Sequence, residues 1–172
     1  MTLHLISGLP CSGKTTYASA LRTDTNAVLF SLDRWLITAY GKYAIAAVGH
    51  EEHTRRVLAC RELIWLAASD SLRRCVDVIL DDGFFLRVNR AQYIERGKAI
   101  GAQVKMHFID TPLDCVRPRL EARNRRLPFY NFHIDPQTLT AFAALFEVPS
   151  PEEGAELIVV RPEQPDVDSI RG

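Results

Sequence analysis

Eight consecutive residues, Gly8-Leu9-Pro10-Cys11-Ser12-Gly13-Lys14-Thr15, constrain this chain more than any other feature, because they fit the pattern G-x-x-x-x-G-K-[ST]. That pattern works between a strand and a helix, and here the apolar run Leu3 to Ile6 precedes it and a helical stretch follows. Gly8 and Gly13 allow backbone angles at which successive N–H groups turn inward toward phosphate oxygens, and the positive end of a helix at Lys14 adds to that field. Lys14 would reach the outer phosphates of a nucleotide. The Thr15 hydroxyl would ligate Mg²⁺, a hard cation that keeps several waters. The nucleotide-contacting set is then Gly8, Pro10, Cys11, Ser12, Gly13, Lys14, Thr15 and Thr16. At this chain's residue frequencies the pattern arises by chance on the order of 10⁻³ times. Cys11 is not required by it, and at a helix N-terminus its thiolate would be favoured, giving a reactive but non-catalytic thiol.

Apolar runs alternate with helix-period stretches along the rest of the chain. Residues 3–6, 27–30, 76–80, 104–109 and 157–160 read as five short buried strands. Five strand–helix alternations imply an α/β domain with a parallel sheet covered on both faces. The longest helix, about 51–74, lines up Val57, Cys60, Ile64, Ala67 and Ser71 on one face, with Leu63 and Leu66 widening the stripe. Asn89 with Gln92 resembles a capping box. Thr111 caps a helix that begins at Pro112, and Asp135-Pro136 repeats the device for a last helix through Phe146. The length fits a single domain over residues 1–172, with a loose tail from about residue 161.

Three acids stand where a parallel sheet gathers its ligands, beyond the carboxyl ends of the strands. Asp33, in Phe30-Ser31-Leu32-Asp33-Arg34-Trp35, would take the proton of an attacking hydroxyl; the alternative is that Asp33 or Ser31 only caps the next helix. Asp81 and Asp82 end the third strand, one to serve the Mg²⁺ shell and the other the acceptor, and strand alternation leaves open which does which. Arg117, Arg119, Arg123, Arg125 and Arg126 follow within ten residues. Arg119 and Arg123 share a helix face, where like charges repel unless an anion lies between them, so about 117–134 reads as a closing lid. Pro118 should kink that helix and hinge the lid. Arg87 and Arg90 could face an anionic acceptor or solvent. Glu51 to Arg56 read as a charged first turn, with acceptor contacts the alternative, and Phe129, Tyr130, Phe132 and His133 as core or as packing for a ligand.

Charge restricts the partners: 21 basic against 21 acidic residues argue against a broad positive surface for nucleic acid or anionic membrane. Of the basic residues 17 are Arg, a bias that genome composition or bidentate anion recognition would produce. The N-terminus carries no basic segment with a small-residue cleavage site, and no run approaches a membrane span. Cys11, Cys60, Cys75 and Cys115 form no Cys-x-x-Cys pair, so neither zinc nor disulfides are indicated. A cytoplasmic protein with reduced thiols is expected.

Together these motifs resemble the P-loop kinase group over residues 1 to about 160. The residues that carry the likeness are the phosphate loop, Ser31-x-Asp33-x-Trp35, Asp81-Asp82-Gly83, Ile109-Asp110-Thr111-Pro112 and Arg119-x-x-x-Arg123. The group includes polynucleotide 5′-hydroxyl kinase, chloramphenicol phosphotransferase, zeta-toxin-like kinases and many bacterial predicted kinases or ATP-binding proteins. The resemblance implies a three-layer P-loop NTPase fold, a five-stranded parallel sheet in the order 2-3-1-4-5 with helices on both faces, and a short Arg-rich lid. It implies ATP and Mg²⁺, with Lys14 and Thr15 on phosphate and metal, Asp33 as general base, Asp82 at the acceptor and Arg119 and Arg123 in the lid. Leu36 departs from the pattern: the polynucleotide kinase has an Arg there for its substrate's phosphate.

The reading that results is an ATP- and Mg²⁺-dependent phosphotransferase acting on a hydroxyl of a small molecule or nucleotide, with Lys14, Asp33, Arg119 and Arg123 catalytic and Thr15, Asp81 and Asp82 around the metal. A polynucleotide end is the alternative acceptor, and a non-kinase regulatory ATPase or ATP-binding protein the alternative class. A long nucleic-acid footprint and a membrane partner are not expected. The sequence is silent on oligomeric state.

Overall fold

The order in which apolar runs enter the sheet fixes everything that follows. In the computed structural model, which describes residues 1–161, five strands align in the order β2-β3-β1-β4-β5. They are β1 (Thr2–Ser7), β2 (Val28–Ser31), β3 (Val78–Gly83), β4 (Gln103–Ile109) and β5 (Glu156–Val160), and every pairing is parallel. This is the P-loop NTPase order that the resemblance implied. β1 lies at the centre, flanked by β3 and β4, which is why Leu3, Leu5 and Ile6 are wholly buried.

Period-two alternation divides the core in two. Leu3 and Leu5 point to the face covered by α4 (His50–Arg73) and α5 (Arg87–Ala99), where they meet Cys60, Ile64, Leu72, Tyr93 and Ile94. Ile6 and Ile79 point the other way, onto Ala18 of α1 (Lys14–Thr25). Helices therefore cover both faces. A third, smaller cluster of Val116, Leu120 and Leu139 joins α6 (Leu113–Arg125) to α7 (Pro136–Leu145) beside the phosphate loop. Between β2 and α4 the chain forms α2 (Leu32–Tyr40) and the single-turn α3 (Ile45–Val48), and a 3₁₀ turn at Pro151–Glu153 precedes β5.

Several local expectations give way to tertiary pairing. On α4 the buried stripe runs through Cys60, Ile64, Ala68 and Leu72, but Leu63 and Leu66 are 52% and 64% exposed, so the apolar face is narrower than the composition suggests. The Asn89–Gln92 capping box does not form: α5 starts at Arg87 with Leu86 as its N-cap and no side-chain cap. Pro112, not Thr111, is the N-cap of α6, because the Thr111 hydroxyl donates instead to the Ser12 carbonyl in the phosphate loop, at 2.8 Å. Asp135 caps α7 as expected, accepting from the Thr138 N–H at 2.8 Å. Helix α6 runs on through Pro118. The expected loose tail lies at residues 162–172, outside the described residues. Among the described residues no helix is long and apolar enough to cross a membrane.

Candidate active site

The chain leaves β1 through Gly8, whose φ of +148° is open only to glycine. A Cβ there would come within 2.9 Å of the Ile109 carbonyl and 2.9 Å of Ser12 Oγ, so the loop has no room for a side chain at its entrance. The Gly8 N–H donates to the Gly83 carbonyl at the end of β3, 3.1 Å away, and ties the loop to that strand. Cys11 (φ +60°) and Gly13 (φ +104°) also take left-handed angles, after which α1 begins at Lys14. Left-handed angles of this kind are what a loop needs to turn successive N–H groups toward one anion. The Ser12 hydroxyl is buried in the loop without a hydrogen-bond partner. Cys11 lies before the helix, and burial pushes its thiol pKa up against the pull of Arg123 and Lys14, so the expected low-pKa thiolate is corrected to an ordinary protonated thiol.

Opposite the loop, β3 delivers its two acids differently, and a bulge is the reason. Ile6 pairs with Asp81 but Ser7 pairs with Gly83, which leaves Asp82 as the extra residue of β3. Asp81 accepts the Thr15 hydroxyl at 2.7 Å. Asp82 turns to α4 and accepts two hydrogen bonds from Arg61, Nε at 2.7 Å and Nη2 at 2.8 Å. Burial works against the Arg61 charge, but the two bonds it donates to Asp82 together with the Asp82 charge outweigh it and hold the guanidinium protonated. Arg61 is a site residue that sequence reasoning missed. Its signal was a charge at 61 inside the stripe of Val57, Cys60 and Ile64.

Asp33 lies in the first turn of α2 and opens onto the same crevice, and the Ser31 N-cap makes no side-chain cap hydrogen bond. The protein crowded around Asp33 strips water from the carboxyl and raises its pKa from 3.8 to about 6; Lys14 opposes the rise and Asp81 adds to it. Lys14 is pushed the other way, downward, by its own desolvation, with Asp81 and then Asp33 resisting. Its Nζ donates to the Leu9 carbonyl across the loop at 2.7 Å.

Of the five arginines of the expected lid only two line the crevice, Arg119 and Arg123, while Arg117, Arg125 and Arg126 are exposed and do not. Arg123 donates to the Phe132 carbonyl at 3.3 Å, and its Nε is buried without a partner. Arg87 is exposed, whereas Arg90 is fully buried and holds Glu153 by two bonds of 2.6 and 2.7 Å and the carbonyls of Phe84, Phe85 and Glu147 by three more. It faces neither solvent nor acceptor. Glu52 pairs with Arg55 and Arg56, as a charged first turn should. Phe132 and His133 line the crevice; Phe129 is 69% exposed.

The crevice has a volume of about 1450 Å³ and takes in Lys14, Thr15, Thr16, Asp33, Asp81 and Asp82 together with Pro10, Cys11 and Gly13. Thr15 and Asp81 offer a hydroxyl and a carboxylate side by side, the hard oxygen donors that suit Mg²⁺ among nucleotide phosphates. The helix start at Lys14 and the buried, unpartnered Ser12 hydroxyl suit phosphate oxygens. A smaller cavity of about 420 Å³ adjoins Asp33 and Thr15 on the other side, lined by Arg22, Arg34 and Tyr130 among others.

Sheet order, phosphate loop and crevice define a nucleotide-binding P-loop protein with the fold of the kinase group. The chain belongs to the AAA_33 family of AAA domains, which it matches over residues 3–149. No curated protein sequence matches it significantly. Among solved structures it is similar to a candidate kinase from Chloroflexus aurantiacus, with 20% identity, a TM-score of 0.76 and 98% of this chain aligned to 94% of that one. Chaetomium thermophilum Kti12, solved with ADP-AlF3, aligns at 19% identity and TM-score 0.67 over 98% of this chain and 94% of its own. A sugar kinase from a Janibacter species aligns at 17% identity and TM-score 0.66, covering 96% of this chain and 87% of the other. At such identities the likeness is one of fold.

Proposed function

We propose that this protein is an ATP- and Mg²⁺-dependent phosphotransferase that moves the γ-phosphate to a hydroxyl of a small molecule or nucleotide. The observation that carries the reading is convergence: Asp33, Lys14, the Thr15–Asp81 pair and the arginines Arg119 and Arg123 line one crevice. Gly8, Pro10, Cys11, Ser12, Gly13, Lys14, Thr15 and Thr16 form the phosphate cradle. Thr15 and Asp81 hold the metal, with Asp82 beyond them in its pair with Arg61. Bound there, Mg²⁺ supplies positive charge to the phosphate oxygens.

The chain's own residues supply the rest. Lys14 presents its cation from the helix start, and Arg119 and Arg123 bring guanidinium groups over charge that develops on the transferred group. Asp33 accepts the proton of the acceptor hydroxyl as the new oxygen–phosphorus bond forms and the bond to the ADP oxygen breaks. A pKa of about 6 leaves Asp33 mostly ionised at neutral pH yet basic enough for this role. Residues 117–134 act as the lid of a single domain spanning residues 1–172. A cytoplasmic setting, where ATP and Mg²⁺ are supplied, belongs to the same reading.

A second reading, a polynucleotide 5′-hydroxyl kinase, draws support from Arg22 and Arg34 in the smaller cavity beside Asp33. The test is acceptor phosphorylation by the purified protein with ATP and Mg²⁺. Asp33→Asn should keep nucleotide binding and lose about 10²–10⁴-fold in transfer rate. Equal rates in the two proteins would remove Asp33 from the mechanism. ATP turnover that stays basal with every acceptor and rises only with a protein partner would overturn the kinase reading in favour of a regulatory ATPase.

A further inference from the structure

The strap that leads from α6 to α7 bridges the crevice. Of its residues 127–134, Leu127, Asn131, Phe132, His133 and Ile134 line the crevice, and Asn131 also lines the smaller cavity, as Asp33 and Thr15 do. On the α6 side the strap is tied by hydrogen bonds: Arg123 donates to the Phe132 carbonyl at 3.3 Å and Asn124 Nδ2 to the Ile134 carbonyl at 2.6 Å. On the far side it meets α2 and the turn after it through side chains. The Arg34 guanidinium lies 5.0 Å from the centroid of the Tyr130 ring and the Lys42 ammonium 5.4 Å from that of Phe129. Lys42 Nζ also donates to the Pro128 carbonyl at 2.9 Å, and Tyr43 meets Phe132 edge-on with ring centroids 5.2 Å apart.

Phe129 and Tyr130 are 69% and 42% exposed, so burial of apolar surface holds the tip of the strap only weakly. The one backbone hydrogen bond within the strap among the described residues is local, from the Asn131 N–H to the Pro128 carbonyl at 3.2 Å. What fastens the tip is the attraction of each cation for a ring face, worth roughly a two- to fivefold factor in an equilibrium at an exposed site, and the charge-assisted bond from Lys42. Arg34 follows Asp33 in the first turn of α2, and Lys42 lies just past the end of that helix. The strap is therefore fastened to the helix that brings Asp33 to the crevice.

We propose that Arg34 and Lys42 are positioning residues for phosphoryl transfer. Their grip on Tyr130, Phe129 and the Pro128 carbonyl holds the strap across the crevice. That keeps Asn131 in the lining it shares with Asp33 and Thr15, and it keeps the Phe132 carbonyl where it orients Arg123, whose Nε is buried without a partner. The inference rests on the phosphotransferase reading and adds two residues that act through Arg123 and the strap.

Two measurements test it on Arg34→Met, Lys42→Met, their combination and Tyr130→Leu, beside Lys42→Arg and Tyr130→Phe, which keep the cation or the ring. Amide hydrogen exchange over residues 127–134 in the nucleotide-free protein, followed by mass spectrometry, should quicken about two- to fivefold in each single variant and about fivefold or more in the combined one. The second measurement compares affinity for ADP–aluminium fluoride with Mg²⁺, a mimic of the transferring phosphate, with affinity for MgADP. The ratio should fall about fivefold or more in the combined variant while the MgADP affinity stays within about twofold. Lys42→Arg and Tyr130→Phe should match the unaltered protein in both measurements. Unchanged exchange in the combined variant would overturn the inference and leave the phosphotransferase reading standing. Faster exchange with an unmoved affinity ratio would do the same, because the grip would then position nothing. Loss of both affinities together, or an effect as large in Tyr130→Phe as in Tyr130→Leu, would also overturn it. An unaltered protein with no preference for the aluminium fluoride complex over ADP would overturn the phosphotransferase reading itself, and the positioning role with it, whatever the exchange shows.

Discussion

Asp33 carries the sharpest residue-scale prediction, because its carboxyl titrates near 6 instead of 3.8. As the base it must be ionised, so kcat/KM for acceptor phosphorylation should climb with pH and level off above about 6, and the Asp33→Asn variant should lose that limb. A rate profile flat from pH 5 to 8 in the unaltered protein would exclude Asp33 as base. Folding responds with the opposite sign to a salt-bridged acid. Between about 3.8 and 6 the folded chain holds a proton at Asp33 that the unfolded chain has released, so this group makes stability fall as pH rises through that window. Asp33→Asn should therefore melt higher than the unaltered protein at pH 7, which differential scanning calorimetry would detect. At this same scale the sequence picked out three acids that the fold brings to one crevice but left open how Asp81 and Asp82 would differ in their partners. The bulge that leaves Asp82 unpaired with β1 while Asp81 stays in register is a property of two strands at once.

Among the elements, the turn after β3 depends on one buried cation. Arg90 of α5 binds the carbonyls of Phe84 and Phe85 and clamps Glu153 of the 3₁₀ turn, with the two side chains 0% and 5% exposed. Arg90→Ala would leave Glu153 as a buried, unpaired charge, and we expect a loss of about 3–5 kcal/mol in urea unfolding. A loss under about 1 kcal/mol would mean that Glu153 finds water or a proton without strain. The five strands were legible because each is a short apolar run, a signal that needs no partner to be read. Helix starts were legible only where the capping group stays local. Asp135 caps α7 from within its own turn, whereas Thr111 is diverted to Ser12, 99 residues away in sequence.

For the whole molecule the prediction concerns ligand linkage. At about one hundred times its Kd, MgATP should add roughly 2.7 kcal/mol to unfolding stability, read as a rise in melting temperature. It should also slow amide hydrogen exchange across residues 117–134, where Arg119 and Arg123 would gain phosphate partners and Arg123 Nε now has none. Unchanged exchange there with ATP bound would remove the lid. The sequence by itself determined the phosphate loop, the five strands and the α/β class, because these follow from contiguous residues and from local periodicity. Tertiary structure alone decided that Arg61 closes on Asp82, that Arg90 is an internal clamp, that two of the five clustered arginines line the crevice, and that aromatic pairs line it too. Those pairings join residues 21 and 63 positions apart, and such distances close only when the whole sheet has ordered the elements that carry them.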